Sequence, residues 1–316
     1  MAQYRNALPQ LDGNLFLTDG GIETTLIFHE GLELPDFAAF NLLNHPEGEA
    51  ALRKYFHSYT AIAMRCGVGL ILESATWRAN LDWGIRLGYT ATTLANINRS
   101  AIRLLEEIRD ECETDKTKIV ISGCIGPRGD GYNPVHTMSE RDAEVYHCEQ
   151  VETFAETAAD MVAAITMNYV EEAVGIALAA QRFSIPVAIS FTVETDGRLP
   201  SGQTLKAAIE KVDAATSYYP CYYMINCAHP THFDQVLVKG ESWVARVHGL
   251  RANASRKSHA ELNESAELDI GNPTELAVQY AQLKQRLSQL NVMGGCCGTD
   301  HRHVEQIAQA CLPLFP

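Results

Sequence analysis

Basic clusters are what this 316-residue chain most conspicuously lacks. Its 25 Lys and Arg stand against 39 Asp and Glu, a formal net charge of −14 at pH 7, and no Lys/Arg-rich run interrupts that balance. Such a surface repels phosphate backbones and anionic lipid headgroups, which excludes nucleic acid and membrane as partners and favours a small molecule. No apolar run approaches the roughly 20 residues that cross a bilayer, and the opening MAQYRNALPQLDGN has no apolar signal core. The expected location is cytoplasmic. No Pro/Gly/Ser-rich linker or low-complexity tract divides the chain, so residues 1–316 are read as one domain. A strand-borne G-x-G-x-x-G phosphate loop is also missing, which counts against an open dinucleotide-binding sheet.

What the chain does contain is a regular alternation of short apolar runs with longer runs of helical period. The apolar runs are LFLT at 15–18, LILE at 70–73, KIVISG at 118–123, MVAAIT at 161–166, PVAISFT at 186–192, YYMIN at 222–226, WVARVHG at 243–249 and NVMGG at 291–295. Their strands are too apolar to have a wet face, which implies a parallel sheet covered by helices. Eight such units predict a closed (β/α)8 TIM barrel, with a doubly wound open sheet as the alternative. In a barrel the chemistry sits in the loops at the carboxyl ends of the strands. Here those loops are polar and cysteine-bearing.

Nine cysteines without a secretion signal point to reduced thiols and a metal rather than a disulfide framework. Cys227 follows the sixth strand, and Cys296 and Cys297 follow the eighth across Gly294-Gly295. Glycines at 294, 295 and 298 are expected to supply the permissive dihedrals that turn adjacent cysteines toward one ion. Three thiolates suit Zn2+ with an open fourth position, as in catalytic sites. A centre of net charge about −1 acidifies water poorly but seats and deprotonates a substrate thiol. The alternative is a tight turn carrying two packed thiols. His229, His232 and His248 are expected on the same rim, as polar loop residues.

The segments TDGGIETTL, I-N-C at 225–227 and M-G-G-C-C-G-T at 293–299 resemble the homocysteine S-methyltransferase family nearly end to end, as do S-G-C-I-G-P-R-G-D and P-V-A-I-S-F-T-V-E-T-D-G-R-L-P-S-G. The resemblance implies a zinc barrel in which homocysteine binds through sulfur and is methylated to methionine, with no protein side chain acting as the catalytic group. It also implies that the turn at Asp19, Gly20 and Gly21 holds the amino-acid end of the substrate, carboxylate on backbone N–H groups and ammonium on Asp19. Folate and cobalamin domains and the long extension of betaine enzymes do not fit in this length, so a sulfonium donor, S-methylmethionine or S-adenosylmethionine, is expected.

Two positions depart from the family pattern. Ile165 stands where members place a Glu for the substrate ammonium, and Glu73 in E-S-A-T-W is the candidate replacement, a pairing with Arg78 being its other reading. Trp77 and Tyr169 offer aromatic faces to a sulfonium. A different thiol or selenol acceptor, and a zinc- or thiol-binding barrel without turnover, are the competing functions. A metal-dependent hydrolase is disfavoured because no His-x-His pair ends a strand.

Overall fold

The computed structural model describes residues 1–264 and 267–316. Eight parallel strands close on themselves in chain order. They are β1 Phe16–Leu17, β2 Gly69–Glu73, β3 Ile119–Ile125, β4 Met161–Met167, β5 Val187–Phe191, β6 Tyr222–Asn226, β7 Val247–Ala252 and β8 Val292–Gly295. Each is paired to both neighbours, β1 to β8 through Phe16↔Val292 and Leu17↔Met293. The expected TIM barrel is the observed one.

Alternation within each strand divides the apolar residues between two cores. Phe16, Ile71, Val120, Met161, Ile165 and Met224 belong to the cluster that fills the barrel. Their neighbours Leu17, Leu70, Leu72, Ile119, Ile121 and Ile225 join the larger core against the helices. Complete burial of each such side chain is worth roughly 1.5–3 kcal/mol, which explains why the strands read as continuous apolar runs. Helices Ala91–Cys112, Glu140–Ala155, Leu205–Thr216 and His301–Cys311 start at Thr90, Ser139, Thr204 and Asp300, whose side chains accept an early backbone N–H. Each cap contributes about 1 kcal/mol. No helix among the described residues is long and apolar enough to cross a membrane.

The seventh strand lies further along the chain than WVARVHG suggests. Trp243 and Val244 are buried, but Val244–Arg246 forms a 3-10 turn and the strand begins at Val247. Gly249-Leu250-Arg251-Ala252, whose Gly and Arg look like loop, are instead strand residues and buried. Gly249 fits there because a Cβ would overlap the Met224 side chain. The shift moves His248 to the amino-terminal half of β7, where it packs 5.9 Å from Tyr222, so it is not a rim residue. That end of the barrel is covered by the N-terminal segment: Leu8 and Tyr4 join the inner cluster, and the Asn291 amide donates to the Gln10 carbonyl at 2.7 Å. The carboxyl end is open.

Candidate metal centre and active-site cavity

A cavity of about 1170 Å³ occupies the carboxyl-terminal mouth of the barrel, bordered by Asp19, Glu73, Arg78, Arg251 and the three strand-end cysteines. The sulfurs of Cys227, Cys296 and Cys297 lie within 4.8 Å of one another, so β6 and β8 do bring the thiols to one point. Cys227 and Cys297 sulfurs are 4.0 Å apart. Cys227 and Cys296 have Cα atoms 5.4 Å apart. That Cα separation suits a bridge, and residues so placed can either form one or share an ion. Cys66, Cys112, Cys124, Cys148, Cys221 and Cys311 are free thiols outside the cluster.

The glycines around Cys296-Cys297 act differently from the expectation. Only Gly298, with φ +78, uses the left-handed region. Gly294 and Gly295 lie inside β8, where the requirement is space: a Cβ at 294 would stand 2.7 Å from the Asp19 carbonyl oxygen, and one at 295 would overlap the Thr299 side chain. Gly21 has the same character, its Cβ position being 2.6 Å from the Cys296 carbonyl oxygen. Its N–H donates to the Thr299 carbonyl at 3.0 Å, which docks the turn after β1 against the cysteine loop.

Two non-glycine residues beside the cluster have positive φ, Thr166 at 67° and Cys227 at 53°. Such conformations cost roughly 1–3 kcal/mol each and persist only where neighbours enforce them. Asn226 does so: its amide oxygen accepts from Thr166 N–H at 3.0 Å and Ser190 Oγ at 2.7 Å, while Nδ2 donates to Thr166 Oγ1 at 2.8 Å. The Cys227 carbonyl is held in turn by Asn253 Nδ2 at 3.0 Å and His259 Nε2 at 2.6 Å, with His259 Nδ1 3.1 Å from Glu194. Tyr132 stacks on the His259 ring and brings its hydroxyl to 3.7 Å from Cys297 Sγ. None of Asn226, Asn253, His259 or Tyr132 was identified from sequence, although Asn226 lies within the I-N-C motif. His229 and His232 make loop bonds, to Thr231 and the Arg256 carbonyl.

Beside the cysteines, on β7 and the loop after β1, lies a charge cluster. Arg251, at the end of β7, donates from Nη2 to Asp19 Oδ1 at 2.5 Å and from Nε to the Gly295 carbonyl at 3.3 Å. Its Nη1 is 3.9 Å from Glu73 Oε1, so Glu73 faces Arg251 rather than Arg78. Tyr55 donates its hydroxyl to the other Asp19 oxygen at 2.8 Å. Burial pushes the Glu73 carboxyl up to about 7 against the pull of Arg251. Desolvation likewise raises Glu23, missed in the sequence reading, to about 7. Asp19 and Glu73 hold Arg251 fixed, and Ile165, buried in the inner core, adds no charge. Trp77 donates Nε1–H to the Ile165 carbonyl at 3.1 Å, and Tyr169 accepts from Met138 N–H at 3.2 Å.

Comparison with known proteins gives the same reading as the motifs. Betaine–homocysteine S-methyltransferase 1 of Bos taurus is 23% identical over 95% of this chain and 73% of its own length. The homocysteine methyltransferase MmuM of Escherichia coli superposes in its metallated form with a TM-score of 0.76 at 17% identity, covering 96% of this chain and 98% of that one. Its oxidized form gives a TM-score of 0.77 at 18% identity, over 96% and 99% of the two chains. At that identity the superposition establishes the shared barrel. The sequence model of homocysteine S-methyltransferases matches residues 16–311, from the first strand to the last helix and through all three cysteines, and the chain is therefore an enzyme of the homocysteine S-methyltransferase family.

Proposed function

We propose that the protein transfers a methyl group from a sulfonium donor, S-methylmethionine or S-adenosylmethionine, to a thiol held at a zinc centre, with homocysteine as the reference acceptor and methionine as its product. The observation that carries this reading is the three-sulfur cluster at the mouth of the cavity. Tetrahedral zinc with bonds near 2.3 Å wants sulfurs roughly 3.8 Å apart, and the 4.0 Å between Cys227 and Cys297 fits. Cys296, as a thiolate, completes the set. His259 has both ring nitrogens engaged elsewhere, which leaves a fourth position for substrate. The metallated form of MmuM supports a metal in this fold. Bound zinc would supply acidity to the acceptor thiol, presenting it as a nucleophilic thiolate at neutral pH.

The chain's own residues then position and enclose. Asn226 and the strained backbones of Thr166 and Cys227 aim the sulfurs, and Asn253 and His259 fix the Cys227 carbonyl. Tyr132 and Tyr169 border the same cavity and suit the onium face of a donor, whereas the Trp77 ring carries the Arg78 guanidinium. In the transfer, the acceptor sulfur forms a bond to the methyl carbon as the donor's carbon–sulfonium bond breaks. The electron pair remains on the donor sulfur, and the thiol proton leaves to solvent.

Incubating reduced, zinc-loaded protein with each sulfonium donor and homocysteine, and following labelled methyl into thioether by mass spectrometry, tests this. Transfer dependent on Cys297 supports the reading. Failure to methylate homocysteine or any member of a thiol panel overturns it. A different thiol acceptor is favoured by one observation: Arg251 already neutralises Asp19, the acid expected to take the ammonium.

A further inference from the structure

Arg78 is the unexplained group of this cavity. It follows β2, is 6% exposed and borders the space between the cysteines and the charge cluster. Its guanidinium carbon lies 4.0 Å from the centre of the Trp77 ring and 3.8 Å from that of Trp83, so two aromatic faces clamp it. Nη1 donates to the Gly129 carbonyl at 3.0 Å, whereas Nε has no partner. Among the described residues, none of the carboxylates within 4.0 Å of a cationic side chain is paired with Arg78. Asp19 and Glu73 face Arg251 instead.

Asp130, Glu23 and Asp36 act on it only through space, and a buried cation with no carboxylate bonded to it is costly, yet this one is held rigid, with donors left over, beside a cavity large enough for two substrates. Guanidinium presents paired donors whose geometry matches a carboxylate, and fixing it beforehand reduces the entropy lost when the pair forms. We propose that Arg78 is the carboxylate anchor of this cavity, taking a carboxylate borne by the acceptor thiol or by the methyl donor. The inference rests on the thiol-methyltransfer reading and adds the chemical class of substrate: an anionic end, read by a side chain rather than by backbone donors.

The test uses reduced, zinc-loaded full-length protein and calorimetric binding with two matched pairs. 3-Mercaptopropionate against 2-mercaptoethanol varies the carboxylate on the thiol, and dimethylsulfoniopropionate against ethyldimethylsulfonium varies it on the donor. Wild type should prefer the carboxylate member of one pair by about tenfold or more. Arg78→Gln should erase that preference while changing binding of the neutral member less than about twofold. The pair that shows the effect identifies which substrate carries the carboxylate. Absence of a preference in both pairs overturns the proposal, and this wild-type comparison needs no variant to fold. So does an equal loss for charged and neutral ligands in Arg78→Gln, which marks a structural cation. If wild type binds none of the four compounds, the methyltransfer reading fails as well.

Discussion

Arg251, at the end of β7, reaches across the barrel mouth to donate to Asp19 in the loop after β1, at 2.5 Å. The pair joins two elements 232 residues apart in sequence and places a guanidinium beside the acid that the family pattern assigns to a substrate ammonium. With Ile165 where the pattern has Glu, the acids of this mouth are Asp19 and Glu73, and both face Arg251.

Removing that guanidinium should be severe. Arg251→Met leaves Asp19 buried without its cation and removes the pull that lowers Glu73, and breaking one side of a buried pair costs roughly 3–5 kcal/mol. Urea unfolding measures it. A loss under about 1 kcal/mol would mean that Asp19 is hydrated or paired elsewhere.

Metal content should follow the three sulfurs. With reductant present, about one zinc per chain is expected, and Cys296→Ala or Cys297→Ala should lose it while circular dichroism stays that of the folded barrel. Under oxidising conditions Cys227 and Cys296, with Cα atoms 5.4 Å apart, can be bridged, which takes two of three ligands, and zinc content should fall. Unchanged stoichiometry in both variants would refute the ligand set.

The Glu73 carboxyl gives stability a pH dependence of definite sign. Its value rises from an ordinary 4.5 to about 7 on folding, so the native state holds the proton more tightly than the unfolded chain. Stability from this group is present at low pH and declines as pH climbs from about 4.5 through about 7, by on the order of 3 kcal/mol. Glu73→Gln cannot ionise. Relative to wild type it should therefore be more stable at pH 8 than at pH 5, read from urea midpoints. An equal difference at both pH values would show that Glu73 titrates normally.

Gly298 and Gly202 separate backbone strain from crowding. Both have positive φ, +78 and +85, but a Cβ at 298 would lie 2.7 Å from the Asp269 carbonyl oxygen, whereas one at 202 meets nothing within 4 Å. Gly202→Ala should cost about 1 kcal/mol and Gly298→Ala distinctly more, within roughly 1–3 kcal/mol or above. Only Gly298→Ala should weaken zinc binding, through the displaced Cys297. Similar thermal midpoints for the two variants would remove the crowding argument.

The sequence by itself determined the barrel and the thiol cluster, because both are written in local patterns. Doubly buried strands must be continuously apolar, and runs such as MVAAIT and YYMIN name their strands without reference to partners. Cysteines directly following the sixth and eighth strands must share one mouth once the barrel closes. Tertiary structure alone decided the charge cluster. Arg251 was hidden because Gly249 and Arg251 look like loop until neighbouring Met224 excludes a Cβ and Asp19 neutralises the guanidinium. The tasks of Gly294 and Gly295 depend on how closely Thr18, Asp19 and Thr299 approach. Arg78 was legible as a candidate partner of Glu73; that no carboxylate bonds it, and that Glu73 faces Arg251 instead, depends on every surrounding loop at once. Periodicity reports which face of a segment is buried, whereas the partner of a buried charge depends on chain closure across hundreds of residues.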